Sequence, residues 1–498
     1  MRDRIERMIE QTMNTCLSWV VSKDGAVLFE DPLDHVEISA HYGNTHMAAS
    51  LIIYGTIKNS NTYIEKGEAL LNSILDRWNE NKILPGFHND FNNFALCVID
   101  SFTPKYHDRI KACVMETEDT AFDTINWLPM RWFVNKCRYE WTKDKAYQDI
   151  CDKCKSMIKS ATYSDGYIED MLPLGTSFSL QYNVATVAFM QYLRVMGEEL
   201  DLGLQTGALL NSVMPDGDIN YFGRGTNQVF AWGLWIYLLS SGNLNGLDTA
   251  LNYLEKHLTD MLSNNNMMLN DFDGKDKYMW WDYHYCSVYT AHLLFWLVLS
   301  LKDYGKKDIE PKLVTDGSSG VHVLRNDDAF VVTFDGRDNY LAEKGPVIEA
   351  IWSKKSGAIL KGAFGPWYGL FGNDHLMADA TIRNFMGLFT LKSENDGGVN
   401  NPLIKKLQSK IRKDPEETIK PLFLSPSVDI TDKIRITYKL EGLPMLINIP
   451  YYSGDISVIA DGERLNLVDT MKLRTQYGWI NIKQQRIESA KELIIEIS

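Results

Sequence analysis

The sequence predicts an α+β protein of two unlike parts. An N-terminal (α/α) helical toroid is expected over residues 1–303 and an antiparallel, sandwich-like β domain over 314–498, joined by a charged linker at 304–313. Three observations lead there. At 498 residues the chain is longer than one ordinary core accommodates. Apolar residues recur at three- and four-residue spacing through the first part, the period of amphipathic helices. After "KDYGKKDIEPKL" at 302–313 the texture changes to β-branched alternation.

The helical segments run near 2–20, 45–57, 61–78, 89–103, 106–117, 120–138, 143–160, 178–197, 201–213, 226–240, 246–263 and 284–303. Asn61 and Asn245 stand where N-caps are wanted. Helices of this length in antiparallel succession stack as hairpins, and such hairpins close into a toroid. The chain lacks the internal self-similarity of a regular solenoid. In the second part, "VHVLRNDDAFVVTFDG", "IRITYKLEGLPMLINI", "DISVIADGERLNLV" and "ELIIEIS" alternate between Asp-Gly and Asn-Asp turns. One basic helical excursion is expected at 400–414.

Composition narrows the partners. The net charge of −14 comes without any lysine- or arginine-rich block, which argues against nucleic acid, whose phosphates need a basic footprint. The first residues, "MRDRIERMIEQTMNTCLSWVV", are charged and amphipathic, unlike a signal peptide. No apolar run reaches the length of a membrane span, so a cytoplasmic protein is expected unless a leader has been removed. Seven cysteines, at 16, 97, 113, 137, 151, 154 and 286, form no disulfide framework. Cys151 and Cys154 make a CxxC inside a helical pattern with no histidine pair nearby, so neither a metal nor a cofactor is expected. His322 and His375 are read as structural.

Polar and aromatic residues cluster where the helices begin. "HYGNTHMA" offers His41, Tyr42, Asn44 and His46; "PGFHNDFNNFAL" offers His88, Asn89, Asp90 and Asn92. "DTINWLPMRWF" carries Asn126, Trp127 and Arg131, and "SFSLQYNVAT" carries Gln181, Tyr182 and Asn183. "NYFGRGTNQVFAW" sets Arg224 between two glycines ahead of Gln228, and "WWDYHYCSVY" adds Trp281, Tyr283, His284 and Tyr285. None has the spacing of a zinc site, a phosphate loop or a nucleophile elbow. Tyrosine, asparagine, histidine and arginine together suit proton abstraction beside a carboxylate. The C5 proton of a uronic acid becomes removable when donors neutralise the adjacent carboxylate and stabilise the enolate-like intermediate. A tyrosine can carry the proton if a nearby cation lowers its pKa, and Tyr182 with Arg224 would be such a pair.

The ordered elements "INW…R" (125–131), "DGYIED" (165–170), "SLQYN" (179–183) and "NYFGRGTNQ" (220–228) resemble those of the toroid-plus-β-sandwich polysaccharide lyases, the heparinase II/III-like and chondroitin/hyaluronate lyase-like families. The resemblance implies β-elimination on a uronate-containing polysaccharide. It implies Asn126, Tyr182 and Arg224 in one cleft, with His88 as a fourth catalytic group. Trp127, Arg131, Asn183, Gln228, Trp281, His284 and Tyr285 are expected to bind substrate. The sequence departs from these lyases beside the tyrosine, where Asn183 replaces a histidine, so His88 or His284 would have to supply the imidazole from another helix.

Two other readings stand beside the lyase. A glycoside hydrolase would need two opposed carboxylic acids, with Asp165, Glu169, Asp170, Asp216 and Asp218 as candidates. A glycan-binding or assembly protein would keep the cleft without the reaction.

Overall fold

The computed structural model describes residues 1–33, 35–81, 88–120, 124–174, 178–223, 226–263, 285–334, 347–361, 371–372, 426–440, 445–475, 477–487 and 489–498. Its helices are α1 (Arg2–Leu17), α2 (Gly43–Lys58), α3 (Asn61–Asn81), α4 (Asn89–Asp100), α5 (His107–Glu116), α6 (Leu128–Thr142), α7 (Lys145–Ser160), α8 (Leu180–Val195), α9 (Gly203–Ser212), α10 (Val229–Ser241), α11 (Leu247–Ser263) and α12 (Cys286–Lys302).

The even-numbered helices touch in a closed cycle, from α2 through α4, α6, α8 and α10 to α12 and back to α2. The odd-numbered helices lie outside, α3 on α2, α7 on α6, α9 on α8, and α1 on both α11 and α12. The sequence dictates this division. Every residue of α10, "VFAWGLWIYLLSS", is buried, and none is charged. In α1 only a stripe at three- and four-residue steps is buried, Ile5, Met8, Ile9, Thr12, Met13 and Cys16. A helix apolar on all sides belongs inside, and a helix with one apolar stripe covers it. Gly233 lets α10 approach α12 closely: a Cβ there would stand 2.9 Å from the Leu293 carbonyl oxygen.

Two expected helices have different limits. The first stops at Leu17, and Val20–Lys23 pairs with Ala26–Phe29 as a hairpin. Its two-residue turn is Asp24-Gly25, both at positive φ (50° and 82°), the conformation of the tight turn that matches strand twist. The segment expected from 120 becomes α6 only at Leu128, after a 3₁₀ turn at Ile125–Trp127, with Pro129 in the first helical turn where no N–H is needed. The excursion expected at 400–414 lies outside the described residues, as does His375.

Beyond α12 the described strands form antiparallel sheets. Val321–Arg325, Ala329–Phe334, Val347–Ser353 and Gly357–Leu360 make a four-stranded meander. A second sheet runs Val468–Thr475, Gly478–Ile487, Met445–Tyr451 and Phe371–Gly372. A third joins Glu463–Arg464, Ile456–Ala460, Glu492–Ile497, Ile434–Lys439 and Ser427–Ile430. In this sheet Ile434, Ile436 and Tyr438 face inward opposite Ile497, Ile495 and Leu493, while the residues between them face out. That alternation is how an antiparallel sheet covers a core with one face.

The meander packs on the loops that lead into α8 and α10. Phe334 lies 5.9 Å from Phe178 and 5.3 Å from Phe222, and Phe330 lies 6.2 Å from Tyr221. Asp165 Oδ2 accepts hydrogen bonds from the Ser319 amide (3.0 Å) and hydroxyl (2.6 Å). Gly223 sits at φ 89° against the backbone of Phe178 and Ser179, where a Cβ would come within 2.6 Å of Ser179 Cα. This loop therefore needs glycine for a close approach within the protein.

Candidate functional site

The starts of all six inner helices meet at one end of the ring. His41, just before α2, lies 4.1 Å from His88, just before α4, and 4.7 Å from Tyr285, just before α12. Tyr42 stacks on Phe91 of α4 at 4.3 Å. Trp127, which leads into α6, stands 6.3 Å from His88. Phe230 of α10 reaches Tyr182 of α8 (6.5 Å) and Tyr289 of α12 (6.3 Å). Helix starts present unsatisfied N–H groups and about half a positive charge each. Their convergence favours an anionic group at the mouth of the ring.

Beneath this layer the axis is filled. His292 lies parallel to Phe230, 4.4 Å away and within 4°, and 5.2 Å from His46. Phe295 is 4.7 Å from His46, and Phe94 stacks on Trp296 at 5.9 Å below.

The protonation states follow from burial and from single hydrogen bonds. His88 Nδ1 is 2.8 Å from the Ala40 carbonyl, which can only accept, so Nδ1 carries the proton and Nε2 is the basic nitrogen. His88 keeps a partial opening to solvent, yet burial pushes its pKa down to about 4 against the smaller opposing effect of the Ala40 bond. His46 donates Nδ1–H to the Tyr42 carbonyl at 2.9 Å, and burial pushes it to about 3. Burial, then the neighbouring His46, lowers His292 well below the usual histidine range. Tyr42 is held protonated, first by burial and second by the charge of Tyr182. Tyr182 is therefore within electrostatic reach of Tyr42.

Of the residues nominated from sequence, Tyr182, His88, Trp127 and Tyr285 come together at this mouth. Others are taken up by the framework. Asn126 donates its amide to Asp170 Oδ1 at 2.5 Å. Arg131, expected to bind substrate, is buried in an ion pair with Asp90 at 3.0 Å. Burial pushes the Asp90 pKa up to about 7 even though Arg131 opposes it. Asn183, also expected to bind substrate, brackets Ile168, accepting from its N–H (2.7 Å) and donating to its carbonyl (2.8 Å). Gln228 is the buried N-cap residue of α10, and its carbonyl accepts from Asn220 Nδ2 at 3.2 Å. Arg224, Trp281, Tyr283 and His284 lie outside the described residues.

The carboxylates of the hydrolase reading are also engaged. Asp165 holds Ser319, Asp170 holds Asn126, and Glu169 accepts the Tyr163 hydroxyl at 2.7 Å. Asp216 and Asp218 share Lys361 at 3.1 and 3.0 Å. The buried Cys151 and Cys154 thiols are each pushed up to about 12, chiefly by burial. Among the described residues no group of three or more His, Cys, Asp or Glu side chains is placed to hold a metal ion, and no helix is long and apolar enough to cross a membrane.

Six residues at or just beneath the mouth were not nominated: His41, Tyr42, His46, Phe230, Tyr289 and His292. The first three stood in a cluster already noticed. Tyr285, Tyr289 and His292 follow steps of four and three, one face of a helix, a signal that was legible.

No protein-family model matches the sequence, and no curated protein matches it. Solved structures give loose likenesses. The chain is similar to the GH76A α-1,6-mannanase of Salegentibacter sp. HEL1_6 at 13% identity, over 60% of this chain and 98% of that one, with a TM-score of 0.41. It is similar to a glycosyl hydrolase family 88 protein of Bacteroides vulgatus at 11% identity, over 60% and 99%, with a TM-score of 0.41. A polysaccharide lyase aligns at 11% identity over 53% and 90%, with a TM-score of 0.37. At such scores the chemistry has to come from this chain's own side chains.

Proposed function

We propose that this protein is a carbohydrate-active enzyme on an (α/α) toroid, with residues 1–303 as its catalytic part and 314–498 as an appended β domain. In this reading it cleaves a uronate-containing polysaccharide by β-elimination. One observation carries the reading: Tyr182, Tyr42 and the basic nitrogen of His88 belong to the mouth where six helix starts converge.

The sugar carboxylate enters toward the helix starts, whose partial charges stabilise the enolate-like intermediate as it forms. Tyr182, as the tyrosinate, takes the C5 proton and becomes the neutral phenol. The electron pair forms the C4–C5 double bond, the C4–O bond breaks, and the departing oxygen recovers the proton from Tyr182. Tyr42 keeps its proton, held first by burial and second by the charge of Tyr182. Arg224 is assigned to the sugar carboxylate. Trp127 beside His88 and Tyr285 beside His41 suit stacking against a sugar ring.

A hydrolase would instead need an opposed pair of carboxylic acids across the scissile bond. The test is a screen against uronate-containing polysaccharides. An unsaturated product absorbs in the ultraviolet and incorporates no labelled water. Tyr182→Phe should abolish that product while retaining substrate binding. Full activity in this variant, or reducing ends carrying labelled water, would overturn the proposal.

A further inference from the structure

The described residues of the loop 214–228 have two faces. One leads through Gln228 to Phe230 at the ring mouth. The other, through Asp216 and Asn227, walls a cavity of about 490 Å³ between α11 and the β part. Tyr253 and Tyr477 line it with Lys361 between them. Lys361 Nζ lies 3.0 Å from Asp218, 3.1 Å from Asp216 and 3.4 Å from the Tyr253 hydroxyl, which uses all three of its protons. It also sits 4.6 Å from the Tyr477 ring centre and 5.4 Å from that of Tyr253. Lys361 is thus a fixed strut that holds two tyrosine rings in place. Tyr253 is braced from behind by Trp232, parallel at 4.6 Å.

Tyr452 and Ala358 from the β part and Asn252, Lys256 and His257 from α11 complete the lining, and Asp216 is exposed at its edge. Immobilised aromatic rings with a few amide, imidazole and carboxylate groups around them suit a pyranose. The C–H face of the sugar packs on a ring, and its hydroxyls reach the polar groups.

We propose that this cavity is a second saccharide-binding subsite, which holds one pyranose unit of the glycan cut at the mouth. The identity of that glycan rests on the function proposed above; the binding of a sugar here does not. Asn227 and Phe230 are three residues apart, a span of at most ~11 Å. The two sites therefore stand on the same short stretch of chain.

Saturation-transfer NMR on the full chain, with methyl β-D-glucoside and methyl β-D-glucuronide as probes, tests this. Binding should persist in Tyr182→Phe and weaken by about tenfold in Tyr452→Ala and in His257→Ala, with thermal midpoints checked for each. If Tyr452→Ala unfolds, His257→Ala decides. Unchanged binding in the cavity variants, loss of binding in Tyr182→Phe, or no binding to wild type would each overturn the subsite. Absence of unsaturated product from uronate polysaccharides, with glycoside binding intact, would sink the lyase reading alone.

Discussion

His46 and His292 lie 5.2 Å apart beneath Tyr42, and burial holds both imidazoles neutral. In the unfolded chain a histidine takes a proton near pH 6.5, whereas His46 in the fold refuses one until about 3. The stability this contributes is complete above pH 6.5 and is lost as pH falls toward 3, up to about 5 kcal/mol for His46. Denaturant midpoints measured from pH 7 to pH 4 should fall steadily. In His46→Gln, which can still donate to the Tyr42 carbonyl, the decline should be shallower.

In the proposed reading His88 is the group at the mouth whose titration reaches the chemistry. With its pKa at about 4, its basic nitrogen is available across the neutral range. The acidic limb of kcat/KM should fall near pH 4 and vanish in His88→Ala, with kcat lower by about 10²-fold or more. An acidic limb unchanged in that variant would remove His88 from the site.

Asn126 should behave as a structural residue. Its amide satisfies the buried Asp170, so Asn126→Ala is expected to cost about 1–3 kcal/mol. Asn126→Asp, which sets two buried carboxylates against each other, should cost more, and Asp170→Asn should relieve it. Thermal unfolding of the two singles and the double variant reads this directly.

Lys361 ties the β part to the ring through Asp218. Burial opposes the charge of Asp218, but Lys361, the Tyr477 hydroxyl at 2.6 Å and the Asn220 N–H outweigh it and hold the carboxyl below its usual range. Lys361→Met leaves that charge unpaired and should destabilise the protein by about 3–5 kcal/mol. Lys361→Met with Asp218→Asn should recover part of the loss in thermal melts.

The helices were legible because periodicity and burial are the same fact seen twice. An all-apolar "VFAWGLWIYLL" can only be an inner helix, and α1 can only be a covering one. The turn at Asp24-Gly25 was written in the sequence but lay under a run that also reads as helix. The site was half legible. Clusters of histidine and tyrosine at helix starts marked the mouth. Arg131 and Asn183 carry the same residue types for another reason. Their partners, Asp90 and Ile168, lie 41 and 15 positions away, and only the folded chain shows that those bonds are made. The "NYFGRGTNQ" loop has a similar double character. Its glycine at 223 serves packing on Phe178 and Ser179, and its Tyr221 and Phe222 meet the β part.

The aromatic column below the mouth has a consequence for how a polymer would be handled. Phe94, Phe295 and Trp296 stop the ring's axis, so nothing can be threaded through it. In the proposed reading substrate and product share one doorway, and a long chain lies across the face of the ring and is released sideways. Successive cuts on one strand then depend on grip beside the doorway, and trimming or widening that column would not open a second exit for the fragments without dismantling the core.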